Sequence, residues 1–134
     1  MALEKKIADF KQALERLQES ARKANEYKEK EEYSFFRDST IQRFEFTLEI
    51  AWKSIKSFLL EVEGVECRSP KSCVREFFSV EYLNQEEMSL FLEMIDDRNL
   101  ATHTYHESLA DDIFSKINDY IMLLEKIYSI LQKS

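Results

Sequence analysis

The 134-residue sequence predicts an all-α protein, an up-and-down bundle of four to five helices. Two observations support this fold class. Apolar residues recur at alternating spacings of three and four, which is typical of amphipathic helices. The chain also contains only one glycine, Gly64, and one proline, Pro70. β-Hairpins and phosphate-binding loops need several glycines, so these counts exclude a Rossmann fingerprint, a Walker loop and a nucleophile elbow.

Composition and charge indicate one soluble-type domain and argue against a membrane protein and against a sequence-independent nucleic-acid-binding protein. With 44% hydrophobic residues, the chain has enough apolar material for one core, and we expect a single domain over residues 1–134. No apolar run approaches the roughly 20 residues that span a bilayer, and we expect a cytoplasmic protein with no membrane partner. The net charge of −7 argues against sequence-independent binding of nucleic acid, which needs a basic face.

Two long helices are predicted in the first half of the chain. The first carries an apolar seam at the positions Leu3, Ile7, Phe10, Leu14, Leu17 and Ala21. The second covers roughly residues 34–63, with its main stripe at Ile41, Phe44, Leu48, Ala51, Trp52, Ile55, Leu59 and Val62. Phe46, Ile50 and Phe58 lie off this stripe, so the second helix is either central in the bundle or in contact with another subunit. Gly64 follows as a left-handed cap.

Three further helices are predicted after Gly64. Ser69 and Pro70 are typical of a cap and a first helical residue, and they begin a short helix that ends near Val80. Asn84 and Glu87 form a capping box that opens the fourth helix. The last helix is expected to begin near Ser108 and to continue unbroken. Cys67 and Cys73 lie near the loop before the third helix, and we expect them to be reduced thiols.

The segment between the fourth and last helices contains most of the side chains that could take part in catalysis. Both histidines, His103 and His106, lie within it, close to Arg98 and Tyr105. Arg98 could bind a phosphate with its planar guanidinium, and His103 could transfer a proton near neutral pH. Five residues apart on one helix, the two side chains would point about 140° apart, so they converge only if the chain bends between them. Two structural alternatives stay open for Arg98 and His103, an ion pair with the neighbouring aspartates and attraction to a helix C-terminus.

Two blocks of this sequence resemble those of a known family. Arg98-x4-His103-x-Tyr105 resembles the signature of the HEPN superfamily (higher eukaryotes and prokaryotes nucleotide-binding). The block from Arg37 to Lys53 is similar to the second-helix block of one branch, the nucleotidyltransferase substrate-binding protein family, which is related to HepT-type toxins. The similarity covers nearly the whole chain in order and spacing.

The resemblance implies a homodimer of helical bundles that acts with a separate minimal nucleotidyltransferase. In one view of the family, such a protein is the nucleotide- or substrate-binding subunit of that two-component system. In the alternative view, it is a metal-independent endoribonuclease toxin that the partner neutralises by adenylylating Tyr105, which leaves RNA open as a second partner. The resemblance thus assigns catalysis to Arg98 and His103, and modification to Tyr105.

Further side chains are candidates for lining the site. We expect Arg37 and Asp38, from the first block, and Asn99 and Tyr105, from the second, to contact the substrate. Asp38, Gln42, Glu45, Glu49 and Lys53 share one face of the second helix, where Glu49 and Lys53 are spaced to pair. The histidines lie outside that helix, so a di-iron site at Glu45 and Glu49 is rejected, and neither a metal nor another cofactor is expected.

Overall fold

The computed structural model describes residues 2–103 and 106–133, with the side chain of His103 also outside the description. The regular secondary structure of the described residues is all helical, which confirms the all-α fold class. It contains six α-helices, α1 (Ala2–Glu26), α2 (Tyr33–Phe58), α3 (Pro70–Ser79), α4 (Gln85–His103), α5 (Glu107–Ser115) and α6 (Ile117–Gln132). None of the described helices combines the length and the apolar character needed to cross a bilayer.

Helix α2 lies at the centre of the fold. It packs along α1 in the most extensive helix pair of the described chain, and it also contacts α3, α4, α5 and α6. Phe44, Leu48 and Ile55 on its main stripe are almost fully buried. The prediction of a central second helix is therefore confirmed, and the position of α2 brings its polar side chains close to the ends of α4 and α5.

The end of α2 departs from the predicted stripe. Residues Leu59–Glu63 form a π-helical turn, closed by Gly64 in the left-handed conformation with φ 68°. The wider turn changes the angle between successive side chains, so Val62 is exposed although the spacing predicted it to be buried. Of the residues predicted on a second apolar face, Phe58 is buried while Phe46 is 63% exposed.

Local capping signals in the middle of the chain are confirmed. Ser69 caps α3 in a reciprocal hydrogen-bonding arrangement with Ser72, and Pro70 is the first helical residue. The backbone N–H of Glu87 donates to Asn84 Oδ1, and the backbone N–H of Asn84 donates to Glu87 Oε1, both at 2.8 Å. Such caps satisfy backbone donors within a few residues of the chain, which explains why they are readable from sequence.

The last helix is divided, contrary to the prediction of one continuous element. α5 ends and α6 begins around Lys116, whose backbone dihedrals are −102° and 0°. The Lys116 ammonium lies 2.8 Å from Asp97 Oδ2 on α4 and 3.4 Å from Glu93. The start of this helix agrees with the prediction of a start near Ser108, because α5 begins at Glu107, with His106 in the cap position and no side-chain cap.

Cys67 and Cys73 form a disulfide, and the prediction of reduced thiols is wrong. Their Cα atoms are 5.1 Å apart, and both side chains are buried. The bond joins the segment after Gly64 to the first turn of α3. Six residues of sequence separation are compatible with either redox state, so spacing alone did not distinguish them.

We expect the Cys67→Ser/Cys73→Ser double variant to unfold with a free energy about 2 kcal/mol lower than that of the wild type, because a short closed loop is released in the unfolded chain. Urea titration with and without reductant measures this difference. Reduced wild type should match the double variant, which itself should not respond to reductant. Equal stability of oxidised and reduced wild type would contradict the expectation.

Candidate functional site

Arg98 lies on α4 and faces the polar side of α2. Its Nη2 atom is 3.2 Å from Glu49 Oε2, and both side chains are about one third exposed. Arg98 Nε is buried, and it has no hydrogen-bond partner among the described residues. The guanidinium is therefore held at Nη2 by the Glu49 carboxylate, while its Nε–H donor has no acceptor among the described residues.

Glu49 gathers three donors around one carboxylate. Trp52 Nε1 donates to Oε2 at 3.2 Å, and Lys53 Nζ lies 3.2 Å from Oε1, which confirms the predicted pair with Lys53. Burial raises the pKa of Glu49, but the hydrogen bonds from Trp52 and Lys53 and the charge of Arg98 outweigh it, and the pKa is lowered overall. Glu49 is thus ionised at neutral pH and keeps Arg98 in place.

A second contact joins the same two helices one turn away. The Thr102 hydroxyl lies 3.1 Å from Glu45 Oε2 and 2.9 Å from the carbonyl oxygen of Arg98. Glu45 and Glu49 lie four residues apart on α2, and the carboxylate of each contacts a side chain of α4. The polar stripe of α2 meets α4 through these two glutamates, of which Glu49 is the one paired with Arg98. The sequence had favoured Arg37 and Asp38 as the residues nearest to Arg98.

Arg37 instead links α2 to the start of α5. Its guanidinium is 3% exposed and lies 2.9 Å from Asp111, 3.1 Å from Glu107 and 3.0 Å from Asp38. Burial lowers the pKa of Arg37, but the hydrogen bonds to these carboxylates outweigh it and raise the pKa above its usual value. These contacts fix the beginning of α5, where the chain emerges from the Arg98–His106 segment.

A cleft opens beside these contacts, between α2, the end of α4 and the start of α5. Its volume is about 280 Å³, with Asp38, Gln42, Glu45 and His106 as the polar lining residues. The apolar lining includes Ile41, Ala101, Leu109 and Ile113. Asp38 is thus the predicted substrate-binding residue that the structure places in a cavity, while Gln42 and Glu45 were recognised only as a polar stripe.

The expected bend between Arg98 and His103 is absent. α4 continues to His103, so the two Cα positions are five residues apart on one helix and their directions differ by about 140°. Asn99 is exposed one residue beyond Arg98, about 100° around the helix, and it does not line the cleft. Tyr105, predicted for modification and substrate binding, lies outside the described residues.

The residue before Arg98 anchors this part of α4 to α6. Asp97 is 6% exposed and accepts a hydrogen bond from the buried Tyr120 hydroxyl, which also lies 3.0 Å from Glu93. Burial and the hydrogen bond to Asp97 raise the pKa of Tyr120 far above its usual range, so its hydroxyl stays protonated. Asp97 therefore fixes the helix that presents Arg98, a role that its position in an acidic pair did not indicate.

A known protein family matches nearly the whole chain. The family model described as "Nucleotidyltransferase substrate binding protein like" matches residues 5–133. The chain belongs to this family. The resemblance drawn from the two sequence blocks is thereby confirmed. None of the curated proteins is a significant match.

Solved structures share the fold. A crystal structure of a Thermus thermophilus protein is 40% identical, covers 86% of this chain and 98% of its own, and has a TM-score of 0.72. The tri-AMPylated Shewanella oneidensis HEPN toxin, in complex with an MNT antitoxin, is 18% identical with a TM-score of 0.77, covering 98% of this chain and 97% of its own. A mutant of the toxin–antitoxin MntA-HpeT is 17% identical with the same TM-score and covers 98% of both chains. This chain thus has the same fold as the HEPN toxin in these structures.

We expect the stabilisation contributed by Glu49 to depend on pH. Because its folded pKa lies below its ordinary value of 4.5, the contribution is fully present above about pH 4.5 and is lost as the pH falls through the lowered pKa. The difference in unfolding free energy between wild type and Glu49→Gln should be constant from neutral pH to that point and shrink below it. Urea titrations down to about pH 3 measure it.

Glu15→Gln, an exposed substitution on α1, is the matched control and should track the wild type. A difference between wild type and Glu49→Gln that stayed unchanged at the lowest pH would contradict the assigned ion pair.

Proposed function

We propose that this chain is the nucleotide- or substrate-binding subunit of a two-component system and acts with a separate minimal nucleotidyltransferase. Family membership supports the pairing with a nucleotidyltransferase. Two of the structural relatives are toxin–antitoxin proteins, and one of them is a HEPN toxin in complex with an MNT antitoxin. The observation that carries the binding role is the partly exposed guanidinium of Arg98, which lies one helical turn from Ala101 in the lining of the 280 Å³ cleft.

Arg98 is the phosphate-binding residue in this proposal. A guanidinium matches phosphate with two parallel hydrogen bonds, and it remains charged at any physiological pH. The Arg98 side chain is about one third exposed and its Nη2 is paired with Glu49, while its buried Nε is not accessible to a ligand in this arrangement. A phosphate therefore competes with Glu49 for the guanidinium. Asp38 lines the cleft beside it, while Arg37 supports α5 from beneath.

We propose that the chain forms a homodimer through the exposed face of α2. Phe35 is 76% and Phe46 is 63% exposed, unusually high values for phenylalanines on a helix that is otherwise the centre of the core. The two side chains lie three turns apart on the same side of α2, close to the Glu45–Glu49 stripe. A two-fold axis near this face would bring two copies of the site together.

A second function is favoured by a specific observation. The HEPN toxin that shares this fold is tri-AMPylated in its complex. In this candidate, the chain is a metal-independent endoribonuclease in which His103 takes the proton of the 2′-hydroxyl and Arg98 stabilises the charge that develops on the phosphate. The 2′-oxygen bonds to phosphorus, the bond from phosphorus to the 5′-oxygen breaks, and the leaving oxygen takes a proton from water, which gives a cyclic phosphate and a 5′-hydroxyl. The partner nucleotidyltransferase silences it by transferring an adenylyl group to the hydroxyl of Tyr105, with release of pyrophosphate from ATP.

For the binding function, we expect Arg98→Gln to weaken the affinity for adenosine monophosphate about ten- to a hundredfold, because a charge-assisted pair with phosphate is lost. Titration calorimetry on the purified protein measures this. Arg75→Gln, which removes an exposed arginine of α3, is the matched control and should bind as the wild type does. Equal affinities of Arg98→Gln and wild type would contradict the assignment.

For the second function, we expect purified protein to cleave single-stranded RNA in the presence of chelator, and His103→Ala to abolish the cleavage. Pre-incubation with the partner nucleotidyltransferase and ATP should add adenylyl mass to the wild type and silence it, whereas Tyr105→Phe should stay unmodified and active. Intact-protein mass and gel analysis of the RNA provide the two readouts, with Tyr27→Phe as the control.

Cleavage that persists in His103→Ala would contradict the nuclease function. Sedimentation as a monomer at micromolar concentration would contradict it as well. Arg98 and His103 are five residues apart on α4, and in this proposal the nuclease site combines residues of two copies.

A further inference from the structure

The cleft between α2, α4 and α5 is small and partly apolar. Its volume of about 280 Å³ lies at the lower limit of small-molecule pockets, which start at roughly 300 Å³. Its apolar lining, with Ile41, Leu109 and Ile113 from α2 and α5, offers a surface against which a flat ring can pack. The space therefore suits one part of a nucleotide, the base.

The polar lining excludes the phosphate end. Glu45 lines the cleft and its carboxylate repels an anionic phosphate, whereas the carboxylate of Asp38, which also lines the cleft, is paired with the buried Arg37. An ionised carboxylate only accepts hydrogen bonds, so a ligand group that contacts Glu45 has to donate one. Thr102 contacts Glu45 Oε2 at 3.1 Å, which orients this carboxylate at the edge of the cleft.

The cleft and the phosphate-binding arginine lie one helical turn apart. On α2, Glu45 lines the cleft and Glu49, four residues later, contacts Arg98. On α4, Ala101 lines the cleft three residues after Arg98. One turn of an α-helix rises about 5.4 Å. This separation matches a ligand whose flat ring and phosphate are joined by a single ribose.

We infer that this cleft is a base pocket selective for bases that carry an exocyclic amino group, with Glu45 as the specificity-determining acceptor and Asp38 beside it. The inference rests on the proposed nucleotide-binding function and adds its ligand class. Adenine and cytosine present an amino group where hypoxanthine and uracil present a carbonyl oxygen. The carbonyl oxygen of hypoxanthine or uracil would face the Glu45 carboxylate, and both groups are hydrogen-bond acceptors. Each would lose its water without gaining a hydrogen bond, which weakens binding.

The test compares matched ligands on the wild-type protein. Titration calorimetry gives dissociation constants for adenosine, inosine, cytidine and uridine monophosphates and for ribose 5-phosphate. We expect each amino-bearing nucleotide to bind at least tenfold more tightly than its carbonyl counterpart, and ribose 5-phosphate to bind most weakly. Glu45→Gln should reduce the preference for adenosine over inosine monophosphate to less than threefold, because the amide can donate to the carbonyl.

Two further variants complete the design. Thr102→Val keeps Glu45 but removes the hydroxyl that orients it, and it should reduce the preference partially. Glu15→Gln removes an exposed carboxylate of α1 and should leave the preference unchanged. The wild-type comparison needs no variant, so the test does not depend on whether Glu45→Gln folds.

The failure of this inference differs from failure of the proposed function. Equal binding of all four nucleotides and ribose 5-phosphate, all of it lost in Arg98→Gln, would overturn the base pocket and leave the phosphate-binding function standing. Absence of binding by every ligand would overturn both. A preference for amino-bearing bases that survived unchanged in Glu45→Gln would overturn the assignment of Glu45.

Discussion

The packing of α2 against every other helix is the constraint on which the rest of the structure depends. One side of this helix supplies the aromatic and aliphatic core, with Phe44, Leu48 and Ile55 almost fully buried. The other side carries Glu45 and Glu49, which meet α4. Because a helix has a fixed angular spacing, the burial of one stripe determines where the other stripe points. The core thus orients the acidic groups that hold Arg98.

Each arginine of the site is paired with carboxylates, in keeping with the acidic character of the chain. Arg37 is surrounded by carboxylates of α2 and α5, and Arg98 is paired with Glu49. The first arrangement is buried and maintains the position of α5. The second is about one third exposed, so solvent weakens its pairing with Glu49. Arg37 and Arg98 both lie beside aspartates in the sequence, but they differ in burial. Arg37 is buried among carboxylates of α2 and α5, whereas Arg98 is partly exposed to solvent.

Sequence predicted best those features that depend on neighbours in the chain. The caps at Ser69 and Asn84 and the left-handed Gly64 involve residues a few positions apart, and all are confirmed. The division at Lys116 coincides with contacts to Asp97 and Glu93 on another helix, which no local pattern contains. The partner of Arg98 was missed for the same reason, since the stripe on α2 is visible in sequence but its facing helix is not.

Trp52 has a consequence beyond packing. It is the only tryptophan of the chain, and its indole N–H donates to Oε2 of Glu49, the same oxygen that contacts Arg98. Indole fluorescence responds to the charge and polarity beside the ring. A ligand that draws the guanidinium away leaves the Glu49 charge less compensated next to that ring. Trp52 is therefore an intrinsic optical reporter that needs no label, connected through one shared carboxylate to the arginine that we propose binds phosphate.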